Sequence, residues 1–245
     1  NWKKSNYFNS KLNSKKIVFI DETVQDTGAF KIRGATTGIN NILKKHPKIK
    51  TIVCASSGSF GISVSTICYE KNIKCVVFLP KNTPSVKTKK ILSLNSIIYE
   101  NNIDYDDAKK NAKIFSYKNK ESFYIDGCRK DIFWGNGSIA VELINKYSIL
   151  DKNLFKKKIT MILPLGVGSL ASPVSILLKH YFYDVTIITV ESLNFCKFYN
   201  QFNKETKPSF DKTIAEGVAV KKLPALSYNI LKNTVDYVSF VNEVE

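Results

Sequence analysis

"TIVCASSGSFGISVSTICYEKNIKCVVFLP", Thr51 to Pro80, sets two apolar runs on either side of a patterned segment. The runs "TIVCA" (51–55) and "CVVFLP" (75–80) are short and β-branched, and they show no polar alternation. Such runs suit strands of a parallel sheet covered on both faces. Gly61 to Lys71, between them, has helical spacing. The same pattern extends along the chain. Strands are expected at 16–20, 96–100, 160–165 and 185–191 as well. Helices are expected at Arg33–Lys45, Val86–Leu94, Tyr105–Tyr117, Ser138–Tyr147 and Leu170–Tyr181. Alternating strands and helices predict an α/β fold. In open sheets of this class, ligands bind at the carboxyl ends of strands, in the loops that lead into helices.

Composition narrows the function classes. A chain of 245 residues can bury a sizeable core. No apolar run approaches the ~20 residues of a membrane-spanning helix, and "NWKKSNYFNSKLNSKK" has no apolar core of the secretory-signal kind. Membrane attachment is therefore not expected. The five cysteines are scattered and form no C-x-x-C pair, so neither a disulfide framework nor a zinc site is indicated. A reducing compartment such as the cytoplasm is the expectation. Two histidines, His46 and His180, give little material for a metal cage, and no metal is expected. The formal charge of +16 raises nucleic acid as a partner. Its lysines are spread along the whole chain rather than gathered on one motif, so specific nucleic-acid binding is not expected.

Three loops stand in the right places for chemistry. After the strand at 51–55, Ser56, Ser57, Gly58, Ser59 and Gly61 form a small polar turn that opens a helix. Hydroxyls and backbone N–H groups at a helix start suit a carboxylate or phosphate, although an ordinary N-cap needs only one serine. In "TMILPLGVGSLASPV", Gly166 and Gly168 allow close backbone approach to a bound group, next to the helix predicted to begin near Leu170. This is a phosphate cradle without a lysine. A dinucleotide fingerprint would want a third glycine where Ala171 stands and an acid about twenty positions on, near Glu191. The look-alike "GNGSIAVEL", from Gly135, follows no clear strand and reads as a turn and helix cap. In "TIAEGVAVKK", Glu216 and Gly217 fit a site or a plain turn equally.

Lys31 is unusual in its setting. It lies in "DTGAFKIRGATTG" between Phe30 and Ile32, whereas most lysines here keep polar company. Lost hydration lowers a lysine's pKa, and the neutral amine is a nucleophile that forms a Schiff base with an aldehyde. The other reading is a lysine at a helix start whose stem lies on apolar surface.

Taken together, "TGAFKIRGA", "ASSGSFG", "LPLGVGSLA" and "AEGVAVK" resemble, in order, motifs of the fold-type II pyridoxal-phosphate-dependent enzymes. This is the tryptophan synthase β-like superfamily, and the closest branch is the threonine/serine dehydratases (ammonia-lyases). The resemblance implies two parallel-sheet domains with helices on both faces. A small domain (26–130) would be inserted into a larger cofactor domain (1–25 and 131–245). It also implies pyridoxal 5'-phosphate as cofactor, an amino-acid substrate, and a homo-oligomer. Lys31 would bind the cofactor aldehyde and act as general base. Ser56, Ser57 and Gly58 would face the substrate carboxylate, and Ser59 the cofactor ring. Gly166, Val167, Gly168 and Ser169 would hold the phosphate, with Glu216 near the substrate and Gly217 near the cofactor. The reaction implied is elimination of water from L-threonine or L-serine, ending in a 2-oxo acid and ammonia. A weakened relative with a binding or assembly role, and a cysteine synthase-type β-replacement enzyme, are the alternatives.

The chain departs from the family in three respects. Ser59 stands where the family usually has Asn, and Val167 and Ser169 replace glycines of the phosphate loop. The segment that would carry the partner of the pyridine nitrogen has no match, so the large domain is expected to be incomplete.

Overall fold

The computed structural model describes residues 2–4, 17–56, 58–150, 158–206, 213–220 and 222–243. The chain divides into two compact units, Asn1–Tyr124 and Ile125–Glu245. The sequence expectation instead grouped 1–25 with 131–245 and ended the small domain at residue 130.

The first unit opens with a short antiparallel pair, β1 (Trp2–Lys4) and β2 (Val18–Ile20). The alternation that follows is α1 (Lys31–Lys45), β3 (Thr51–Ala55), α2 (Ser59–Glu70) and β4 (Lys74–Pro80). It continues with α3 (Ser85–Leu92), β5 (Ile97–Asn102), α4 (Tyr105–Lys118) and β6 (Ser122–Tyr124). The four strands pair in parallel in the order β5-β4-β3-β6. The central strands β3 and β4 are almost wholly buried, as their unbroken apolar runs predict. On one face, Val53, Ala55, Val76 and Phe78 pack with Ala108 and Ala112 of α4. On the other, α2 comes so close to the sheet that a Cβ on Gly61 would lie 3.2 Å from Val77 Cγ1. Asp104 caps α4 by accepting from Asp107 N at 2.9 Å, and the Asp107 carboxylate accepts from Ile103 N at 3.0 Å.

The second unit begins with α5 (Lys130–Asn136) and α6 (Ser138–Leu150). Then come β7 (Ile159–Pro164), α7 (Ala171–Tyr181), β8 (Val185–Ser192), α8 (Lys197–Asn203), α9 (Ala225–Thr234) and β9 (Tyr237–Val241). Its three strands are parallel in the order β7-β8-β9. Glu191, near the end of β8, is 3% exposed. Its carboxylate accepts from Phe198 N at 3.1 Å and Tyr199 N at 2.7 Å, which satisfies donors at the start of α8. All five cysteines are free thiols. Among the described residues no helix is long and apolar enough to cross a membrane.

Candidate active site

The first unit holds Lys31 and the serine loop. The Thr27-Gly28 turn leads into α1; Gly28 has φ +71° and donates its N–H to Gln25 O at 2.7 Å. Only glycine takes that conformation readily. Thr27 Oγ1 hydrogen-bonds Ser63 Oγ of α2 at 3.3 Å. Arg33 grips Glu22 with two bonds, 2.7 and 2.9 Å long. These contacts fix the start of α1, and Lys31 is its first residue, two positions before the predicted start. Lys31 is partly buried, with Nζ 4.7 Å from the Phe30 ring centroid. Burial first, and the charge of Lys87 second, bring its pKa down from 10.5 to about 8. Set among apolar neighbours, its amine gives up a proton more easily than a solvated one.

In the serine loop, Ser56 is 3% exposed and its hydroxyl is committed inward. It accepts from Gly58 N at 3.0 Å and Gly61 N at 2.8 Å and lies 3.1 Å from Gly58 O. Ser56 N donates to Phe78 O at 3.0 Å. Gly58 precedes α2, and Ser59, the first residue of that helix, is partly buried. Ser57 lies outside the described residues.

The second unit holds the glycine loop. Leu165 N donates to Val190 O at 2.8 Å and extends the sheet up to the loop. A Cβ on Gly166 would lie 2.9 Å from Gly217 O and 3.2 Å from Val218 Cα. The structure thus brings together Gly166 and Gly217, two glycines singled out separately. Gly168 has φ +78°, and a Cβ there would lie 2.7 Å from Ser227 Cβ. The backbone N–H groups of Gly166, Val167, Gly168 and Ser169 donate to no protein acceptor among the described residues. Ser172 Oγ, fully buried beside Gly168, also has no hydrogen-bond partner among the described residues. Glu216 and Gly217 lie on an exposed 3-10 turn, Glu216–Val218, anchored where Glu243 accepts from Ile214 N at 2.9 Å.

Two supports of this loop escaped the sequence reading. Ser227, in the first turn of α9, donates its hydroxyl to Val167 O. Pro224, directly before that helix, was the available signal for a helix start. Asn136 donates to Ser169 O at 3.1 Å from inside the look-alike "GNGS". Gly137 of that segment sits between α5 and α6, with no strand before it, as its reading as a turn and cap requires.

A loop that opens a helix, crowded by backbone where side chains would stand and offering main-chain donors, fits a phosphate ester. A lysine of lowered pKa fits an aldehyde. The family model described as "Pyridoxal-phosphate dependent enzyme" matches residues 3–245. The chain belongs to that family. Membership fixes the cofactor as pyridoxal 5'-phosphate, and the residues present fit it on both counts.

The biosynthetic L-threonine dehydratase of Pasteurella multocida is 25% identical over 229 residues, which is 93% of this chain and 43% of that one. The L-threonine ammonia-lyase of Thermotoga maritima is 29% identical over 231 residues, 91% of this chain and 54% of its own. The chain thus spans about half the length of these curated relatives. Maize serine racemase superposes with a TM-score of 0.86 at 22% identity, over 100% of this chain and 71% of that one. Threonine deaminase isoform 2 of Solanum lycopersicum superposes at 0.84 with 21% identity, over 99% and 64%. These superpositions show the type II fold that the motifs implied.

Proposed function

We propose that the chain carries the active site of a pyridoxal-phosphate-dependent lyase that converts L-threonine or L-serine to a 2-oxo acid and ammonia. The observation that carries the reading is Lys31, a lysine at the head of α1 whose amine is weakly basic because it is crowded out of water. The direction of the chemistry comes from the relatives named L-threonine dehydratase and L-threonine ammonia-lyase. When bound, the cofactor supplies an electron sink for charge at the substrate α-carbon.

The residues of the chain do the rest. Lys31 Nζ is the amine that would hold the cofactor aldehyde; once displaced by the substrate amine it would be free to take the α-proton and pass it to the departing Cβ hydroxyl, so that water leaves. With a pKa of about 8, the amine can hold and release a proton near neutral pH. The backbone of Gly166–Ser169 holds the phosphate. Gly58 and Ser59 face the carboxylate and ring, while Ser56 shapes the loop through its bonds to Gly58 N and Gly61 N. Glu216 and Gly217 border the substrate and cofactor sides. The working form is a homo-oligomer.

The test uses the purified chain mixed with pyridoxal phosphate. A visible absorbance band should form and be lost on borohydride reduction, with the adduct on the Lys31 peptide by mass spectrometry. L-threonine should give 2-oxobutyrate. An adduct scattered over surface lysines, with Lys31 unmodified, would sink the reading.

A further inference from the structure

Lys87 is the third residue of α3, with its N–H bonded to Pro84 O at 2.9 Å. Lys89 and Lys90, on the same helix, are exposed, whereas Lys87 is partly buried. Its stem runs along the serine loop. Its Nζ, Cδ and Cε lie 3.0, 3.1 and 3.3 Å from the point where a Cβ on Gly58 would stand. Glycine at 58 thus leaves room for a lysine that reaches in from a neighbouring helix. The loop's own donors on Gly58 and Gly61 are already satisfied by Ser56 Oγ. No acidic residue occupies the first turn of α2. Lys87 therefore brings its side-chain nitrogen to the loop where the proposed function seats a carboxylate.

We propose that Lys87 is a specificity-determining residue of this site: its ammonium makes the serine loop select a ligand that is anionic at that position over one that is neutral there. The inference rests on the reading of the chain as an amino-acid lyase and adds what recognises the acid group. Two physical arguments favour it. A charge beside a half-buried loop acts through a lower effective dielectric than water and so discriminates between carboxylate and amide. The same charge acts on Lys31, where it is the second cause of the lowered pKa, so it favours the neutral amine as well as the bound carboxylate.

Three variants separate charge from shape: Lys87→Met keeps the stem, Lys87→Gln shortens it, and Lys87→Arg keeps the charge. In the cofactor-loaded chain, spectral titration compares L-threonine with L-threoninamide, which lacks the carboxylate charge. Lys87→Met and Lys87→Gln should each weaken threonine binding on the order of tenfold and leave threoninamide binding unchanged. Lys87→Arg should recover most of the loss. Equal weakening of both ligands, or no weakening of either, overturns the proposal. A second readout needs no cofactor: the rate at which an amine-reactive acylating reagent labels the Lys31 peptide at neutral pH. Loss of the Lys87 charge should slow that labelling, because the Lys31 pKa then moves back toward its ordinary value and a smaller fraction of the amine is neutral, and Lys87→Arg should not. If no variant, nor the parent chain, forms the visible band, the lyase reading fails. Unchanged Lys31 labelling in Lys87→Met and Lys87→Gln overturns the role of Lys87 by itself.

Discussion

Gly168 and Gly217, marked in separate motifs of the sequence, carry different burdens. Gly168 combines a left-handed backbone at φ +78° with a neighbour 2.7 Å from its missing Cβ, whereas nothing lies within 4 Å of a Cβ on Gly217. Gly168→Ala must therefore distort the loop or push Ser227 away. It is expected to cost about 2–3 kcal/mol and to weaken pyridoxal-phosphate binding strongly. Gly217→Ala should stay within about 0.5 kcal/mol of the parent. Urea denaturation with cofactor titration checks both, and comparable losses at the two positions would contradict the packing argument. The sequence marked Gly168 as part of a phosphate cradle and left Gly217 between a site and a plain turn. What separates them is Ser227, a residue sixty positions away from Val167, to which its hydroxyl bonds.

At the scale of elements, β3 and β4 were legible because burial on both faces writes itself as composition; β7 and β8 were legible from their apolar runs, although β7 mostly alternates between half-buried and exposed positions and β8 between buried and half-buried ones. β6 is three residues long and β9 alternates between half-buried and exposed positions, so neither stands out from loop sequence. α8 and α9 went unread for similar reasons: α8 has seven residues and α9 ten, so neither shows a long stripe. The link between β8 and α8 carries a pH dependence. Burial outweighs the bonds from Tyr199 N and Phe198 N, and the Glu191 pKa rises from 4.5 to about 7. Between those values the folded chain keeps a proton that the unfolded chain has lost. The stability from this group is therefore full below pH 4.5 and is lost as pH climbs through about 7. Glu191→Gln should flatten that part of the stability curve, measured as urea midpoint against pH. A curve with the same slope in both chains would show that the carboxyl is not the source.

For the molecule as a whole, the lysine proposed to serve chemistry should weaken the fold. The Lys31 pKa falls from 10.5 in the unfolded chain to about 8 in the folded one. The unfolded state holds the extra proton between those values, so stability rises with pH across that window and is lost as pH falls through about 8. At neutral pH the folded chain bears the cost of a crowded ammonium. Lys31→Met should therefore raise the melting temperature of the cofactor-free chain at neutral pH, and the gain should shrink as pH climbs toward 10.5. Thermal scans across that range test it, and a variant less stable at neutral pH would refute the account. The sequence placed Lys31 in an apolar setting, but not Lys87 beside it. Nothing distinguishes Lys87 from its neighbours in "SVKTKK" until the chain is folded.

The glycine loop has a practical consequence for anyone mapping this protein by mutation. Its donors belong to the main chain, and every residue type except proline presents the same N–H. Trimming Val167 or Ser169 to alanine leaves those donors in place. If the loop holds the phosphate as proposed, an alanine scan across Leu165–Leu170 would thus report silence at the non-glycine positions. Exchanging single amides for esters by chemical synthesis tests the proposed main-chain grip directly, and unchanged cofactor affinity in every ester would refute it.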